Sequence, residues 1–390
     1  MQRTLTILIF VALAIIVVLG GFALGQFILS KQQPGISTVT PTPTTSTTFQ
    51  PGKMPYVRGT QLIDTSGHPF VLHGAQIESP LIFANSWGKP GKSPTTVLNS
   101  KTFQVMVKDW KMNALRLPLS NWLYAKDPAA YMSVVDPVIQ EANAAGLYVV
   151  IDLHDNGKSG SPYGPSADVP KTEDITFWKA IAAHFKDNPM VMFDVFNEPK
   201  ADSWQTWLHG GGTVNGATVV GFQDLVDAVR SVGAKQIIVV EPGSIAGGPD
   251  SVGGWSTIGN DTINDPNIVY SLHTYSTIGL PAAQQDAKWG PILNHYPIYY
   301  GEWAFLPNSF TPIQCRNVPH DQADQAVTNF LHYMASRNAS WTAWSFTPMH
   351  LIQDATTFTP TTLDVPWTCG DTSIDAGMGV IVKQYLTIGQ

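Results

Sequence analysis

The chain is 390 residues long, 44% hydrophobic and only 13% charged, with a formal net charge of −7. That length permits one large domain or two small ones around a sizeable core. An acidic chain without clustered Lys and Arg argues against a nucleic-acid partner, whereas 12 Trp and 12 Tyr suit a neutral polar ligand such as a sugar, whose C–H faces stack on rings.

Residues 5–29 carry no charge and are long enough to cross a bilayer as a helix, with Arg3 before them and Lys31 after. Residues 1–30 therefore read as a transmembrane anchor, the only expected membrane contact. A cleaved signal peptide is the alternative, because Ala23 and Gly25 make a small-x-small site before Gln26. The anchor is favoured because the apolar run continues past that site. Both readings place the remainder outside the cell, membrane-anchored or secreted. Residues 31–53 are rich in Thr, Ser and Pro and read as an extended linker. The folded domain is expected over 54–390.

Within it, apolar strand-like runs recur at 70–77, 114–119, 148–153, 191–196, 236–240, 267–272, 297–300 and 341–346. Their spacing is roughly that of a βα unit, about 30 residues or somewhat more. Helical patterns lie between several of them, at 136–145 (closed by Gly146), 174–185, 222–232, 321–337 and 377–386. Eight strands alternating with helices predict a (β/α)₈ TIM barrel. A doubly wound open sheet is the alternative, weakened because no Gly-rich phosphate loop follows an early strand.

Parallel barrel strands are buried on both faces, so polar residues at their carboxyl ends need a reason. Arg116 stands at the second mouth, Asp152 and His154 at the third, Asn197 and Glu198 at the fourth. Glu241 stands at the fifth, His273 and Tyr275 at the sixth, Glu302 at the seventh and Trp344 at the eighth. Two strand-end glutamates facing one cleft are what glycosidic bond cleavage uses. Glu241 is expected to be structural, since no motif around it asks for catalysis. Cys315 and Cys369 are too few for a disulfide scaffold or a structural zinc site. The exported reading favours one bridge between them, joining the loops after the seventh and eighth strands; two free thiols are the alternative.

The motifs NEP (197–199), GEW (301–303), RLP (116–118) and LHTY (272–275), in this order and at these strand ends, resemble glycoside hydrolase family 5, the cellulase-like family of retaining (β/α)₈ glycosidases. The resemblance runs from about residue 54 to the end. It implies that Glu198 is the acid/base and Glu302 the nucleophile. Asn197 would hold the sugar 2-hydroxyl, Arg116 and Tyr275 would contact the nucleophile, and His154 and His273 would line the subsite. Trp344 would be the sugar platform, with a cis bond to Ser345. Ala304 after Trp303 and Asp155 after His154 depart from the family pattern. The expected activity is endo-β-1,4-glucanase acting on a β-linked polysaccharide or oligosaccharide. A β-mannanase and a β-1,3-glucosidase or glucanase are the alternatives within the family, and a non-catalytic carbohydrate-binding barrel is the alternative outside it. The resemblance implies no metal or organic cofactor and a monomeric catalytic domain. Two or three of Trp87, Trp122, Trp204, Trp207, Trp255 and Trp367 are expected to wall further sugar subsites.

A double displacement requires the two carboxyls in different protonation states. Arg116 is expected to keep Glu302 ionised, and that negative charge to keep a proton on Glu198.

Overall fold

A computed structural model of the chain describes residues 54–77, 97–155, 169–201, 203–214, 217–242, 262–307, 315, 318–371 and 373–388. The expected anchor and linker, Trp87 and Trp255 lie outside the described residues. The chain divides into two units, residues 1–48 and 49–390, and every described residue belongs to the second. No described helix is long and apolar enough to cross a membrane.

Eight parallel strands close into a barrel: His73–Gln76, Ala114–Ser120, Tyr148–Asp155, Val191–Asp194, Ile238–Val240, Ile268–His273, Ile298–Trp303 and Ser340–Ala343. They are numbered one to eight here. Closure is made by the eighth strand on the first, where Trp341 pairs with His73. The expected first strand, 70–77, is split. Pro69–Phe70 joins Tyr56–Arg58 and Gln61–Ile63 in a separate antiparallel sheet. Leu62 of that sheet packs with Leu72 and the residues filling the barrel, so the small sheet plugs the amino-terminal end. The Val57 backbone N–H, donating to Asn267 Oδ1 at 2.8 Å, ties it to the start of the sixth strand.

Side chains alternate across a strand with period two, so each strand sends every second residue inward. At the floor these are apolar: Ala114, Val150, Met192, Val239, Val269 and Tyr299 form one buried cluster. Two residues further along the same faces stand Arg116, Asp152, Asp194, Ser271 and Gly301. The interior thus changes from apolar to charged on rising toward the carboxyl ends. The other faces pack against the helices, which include Pro128–Ala145, Thr172–Phe185, Phe222–Ser231 and Ala323–Ser336. The first of these is longer than expected. Its cap, Asp127, accepts the Ala130 N–H at 3.0 Å, and a proline at the first turn needs no donor. A glycine-rich hairpin, Gly210–Val214 with Ala217–Val220, was not among the expected elements.

Cys315 and Cys369 form a disulfide that closes a 54-residue separation. Near it the Gly370 N–H donates to the Pro307 carbonyl at 2.7 Å, so the loop after the eighth strand is tied to the end of the seventh. Replacing both cysteines by serine is expected to lower the unfolding free energy by up to about 4 kcal/mol in the chain-entropy picture, read from urea unfolding of the two proteins.

Candidate active site

At the carboxyl ends, one guanidinium gathers the charges. Arg116 is fully buried. Its Nε donates to Asp194 Oδ2 at 2.9 Å, and its Nη2 lies 3.0 Å from Asp152 Oδ1. Nη1 donates to Glu302 Oε1 at 2.6 Å and to Gln76, and Nη2 donates to Asn197 Oδ1 at 3.1 Å. Burial alone would lower the Arg116 pKa, but Asp152, Asp194 and Glu302 outweigh it and hold the pKa well above its ordinary value. Asp194 responds in the other sense. Burial raises its pKa to about 7 against the opposing pull of Arg116, with Asp152 adding a like-charge push.

Glu302 is 3% exposed. Parity would turn it toward the helices with Tyr300. The seventh strand shifts register against its neighbours here, with irregularities at Leu272/His273 and between Tyr300 and Trp303, and the shifts bring Glu302 inward. Gly301 makes room, since a Cβ there would lie 2.4 Å from Ser271 Oγ and 3.0 Å from His273 Nε2. The Tyr275 hydroxyl donates to Glu302 Oε2 at 2.7 Å. Burial first, then Glu302 and Glu198, keep that phenol protonated well beyond its usual range. Both oxygens of Glu302 are therefore held by donors.

Glu198 lies past the end of the fourth strand, which stops at Asp194 rather than at the expected 196. Its side chain is 39% exposed, and its φ is 47°, in the left-handed region. His273 Nδ1 lies 3.2 Å from Glu198 Oε1 and 3.6 Å from Glu302 Oε2. Burial alone would lower the His273 pKa, but Glu241, Glu302 and Glu198 raise it to about 10. His154 Nδ1 lies 2.7 Å from Asp152 Oδ2, and its ring stacks on Trp344 with centroids 5.9 Å apart. The Trp344–Ser345 peptide is cis.

Oxygens of Glu198 and Glu302 and a ring nitrogen of His273 all lie within 4.8 Å of one another. Two carboxyls this close, one clasped by cations and hydroxyls and one open to solvent, can act on a single bond from opposite roles. A family model described as Cellulase (glycosyl hydrolase family 5) matches residues 63–350. The chain belongs to glycosyl hydrolase family 5.

Two curated relatives are endoglucanase Z from Dickeya dadantii and endoglucanase E-5 from Thermobifida fusca. The first is 24% identical over 61% of this chain and 52% of its own length, and the second is 23% identical over 74% and 55%. The chain thus spans about half the length of these relatives. A β-glucanase from Saccharophagus degradans, solved with cellotetraose, superposes with a TM-score of 0.62 at 20% identity, over 92% of this chain and 98% of that one. That likeness speaks to the fold.

The site residues of this family 5 chain expected from the sequence come together: Arg116, His154, Asn197, Glu198, His273, Tyr275 and Glu302 are joined by the contacts above, and Trp344 stacks on His154. Gln76 and Asp194 were not anticipated. The only hint was a polar residue breaking an apolar strand. Trp204 and Trp207 do not wall a subsite. They are 5% and 1% exposed, stack on each other at 4.4 Å, and Trp207 stacks on Phe222. Their helix, Trp204–His209, turns both rings into the core, where no sugar can reach them. Trp122 and Trp367 are half-buried, and the Trp367 indole N–H donates to the Leu363 carbonyl at 3.1 Å.

The Glu198, His273 and Glu302 group is compact enough for a metal ion. The donors are already committed, however: Arg116 and Tyr275 occupy Glu302, and the carboxylates hold His273 toward its protonated form. The cluster carries its own positive charge and does not fit a resident metal. The raised His273 pKa also sets a stability window. Its contribution is complete below about pH 6.5, the value of an unperturbed imidazole, and is lost as pH rises through about 10. Urea unfolding of the wild type and His273→Gln is expected to show a stability gap at pH 6 that narrows steadily as pH rises from about 6.5 and has closed by about pH 10.

Proposed function

We propose that the protein is an extracellular endo-β-1,4-glucanase acting with retention of anomeric configuration. The observation that carries this reading is the approach of Glu198 and Glu302 oxygens to within 4.8 Å at the barrel mouth. Retaining enzymes place their carboxyl groups about 5–5.5 Å apart, whereas inverting enzymes leave roughly 6.5–9.5 Å for a water.

Glu302, aligned by Arg116 and Tyr275, attacks the anomeric carbon as the bond to the leaving oxygen breaks. Glu198 gives its proton to that oxygen. The resulting ester removes the charge of Glu302, so Glu198, its proton already given to the leaving group, has no like-charged neighbour, stays ionised and can serve as the base. It then takes a proton from water. The hydroxide oxygen bonds to the anomeric carbon, the ester bond breaks, and Glu302 returns as a carboxylate with one water consumed. The exposure of Glu198 suits a group that meets first a leaving sugar and then solvent. Asn197, beside Arg116, binds the 2-hydroxyl, and Trp344, backed by His154, is the platform for the ring.

The two endoglucanase relatives and the cellotetraose bound by the Saccharophagus β-glucanase support a β-1,4-glucan over β-mannan or β-1,3-glucan. The Cys315–Cys369 bridge, together with the apolar 5–29 segment, supports a site of action outside the cell.

The test is reducing-sugar release by the full chain from cellulose, mixed-linkage glucan, mannan, xylan and laminarin, with NMR of the first-formed anomer. Cellulose or mixed-linkage glucan is expected to be cleaved with the β-anomer first, and Glu302→Ala to abolish this. Glu198→Gln is expected to slow substrates with poor leaving groups by about 10²- to 10⁴-fold while sparing activated aryl glycosides. An α-anomer first, or saturable binding without turnover, would overturn the proposal.

A further inference from the structure

Glu241 follows the fifth strand directly and is 2% exposed. Its Oε2 accepts the backbone N–H of Glu198 at 2.8 Å. The same oxygen lies 3.5 Å from His273 Nε2, on the far side of the ring whose Nδ1 meets the Glu198 carboxyl. Glu241 therefore reaches Glu198 twice, at the main chain and through an imidazole. Its own backbone is anchored, because the Trp207 indole N–H donates to the Glu241 carbonyl at 2.8 Å.

Glu198 has need of such a hold. It is a non-glycine residue at φ 47°, beyond the last strand residue and partly in solvent. Left-handed backbone is unfavourable for a non-glycine residue and persists only where the surroundings enforce it. A charge-assisted bond to its N–H is stronger than a neutral one, and a carboxylate buried this deeply is itself costly without such partners.

We propose that Glu241 is a positioning residue for the acid/base. It locks the main chain of Glu198 into the conformation that aims its carboxyl at the leaving oxygen, and it orients His273 against that carboxyl. The inference rests on the reading of Glu198 as acid/base. The charged and titratable groups around this pair are Asp194 on the fourth strand, Arg116 on the second, Tyr275 after the sixth and Glu302 on the seventh. Burial raises the Glu241 pKa against the pull of His273, while Glu241 in turn raises that of His273, so the two titrate as a pair.

The test uses the full chain, phenyl and 2,4-dinitrophenyl β-cellobiosides, and the variants Glu241→Leu, Glu241→Gln and Glu198→Gln. A displacement of the acid by about 1 Å is worth about 10²-fold. Glu241→Leu is therefore expected to lose about 10- to 100-fold in kcat on the phenyl glycoside and little on the dinitrophenyl one. Glu241→Gln keeps an oxygen for the Glu198 N–H and is expected to recover much of the loss. NMR titration is expected to show a lower His273 pKa in Glu241→Gln than in the wild type, a readout that survives even where Glu241→Leu folds poorly. Equal losses on both glycosides in Glu241→Leu, or an unmoved His273 titration in Glu241→Gln, would overturn the inference. If Glu198→Gln discriminates between leaving groups and Glu241→Leu does not, the assignment of Glu241 fails alone. If Glu198→Gln does not discriminate, both assignments fall.

Discussion

The buried guanidinium of Arg116 is the constraint on which the rest of the mouth depends. Asp152, Asp194 and Glu302 all lie within about a hydrogen bond of it, and all three carboxyls are buried. Taking carboxylates out of water is costly unless a counter-charge with good geometry compensates them, and removing one partner of such a cluster costs about 3–5 kcal/mol. Arg116 also bonds Gln76 and Asn197, so a single side chain links the first, second, third and seventh strands with the end of the fourth. The shape of the site and its electrostatics therefore have one origin.

From that origin the two glutamates diverge. Glu302 is buried, with one oxygen on Arg116 and the other on Tyr275, an environment that suits a carboxylate at rest. Glu198 is partly exposed and set off the end of its strand, facing His273. Environment, rather than residue type, separates the two glutamates. His273 stands between them and within reach of Glu241, so one imidazole of the sixth strand lies beside all three carboxyls.

Backbone irregularity supplies what regular strands cannot. A strand of strict alternation would send Glu302 outward, and the register shifts around the seventh strand reverse this. The glycine before it matters because His273 and Ser271 occupy the space a side chain would take. At Glu198 the left-handed turn does the equivalent work, redirecting a side chain after the ladder has ended.

The amino-acid sequence by itself determined the barrel, because eight apolar runs at βα spacing have few other ways to bury both faces. It also marked most of the site, because a polar residue at the end of a buried strand is costly unless something pairs or uses it. Arg116, His154, Asn197, Glu198, His273, Tyr275, Glu302 and Trp344 were legible for that reason. The tertiary structure decided what depends on distant neighbours. Trp204 and Trp207 belong to the core because Phe222 and each other's rings cover them, which no local pattern encodes. Asp194 and Gln76 join the site only because the register sets them beside Arg116. Glu241 stands in a stretch without a motif, and only the fold brings its carboxylate to the backbone of a residue 43 positions away. Periodicity tells which way a side chain faces, and only closure of the barrel decides what it meets there.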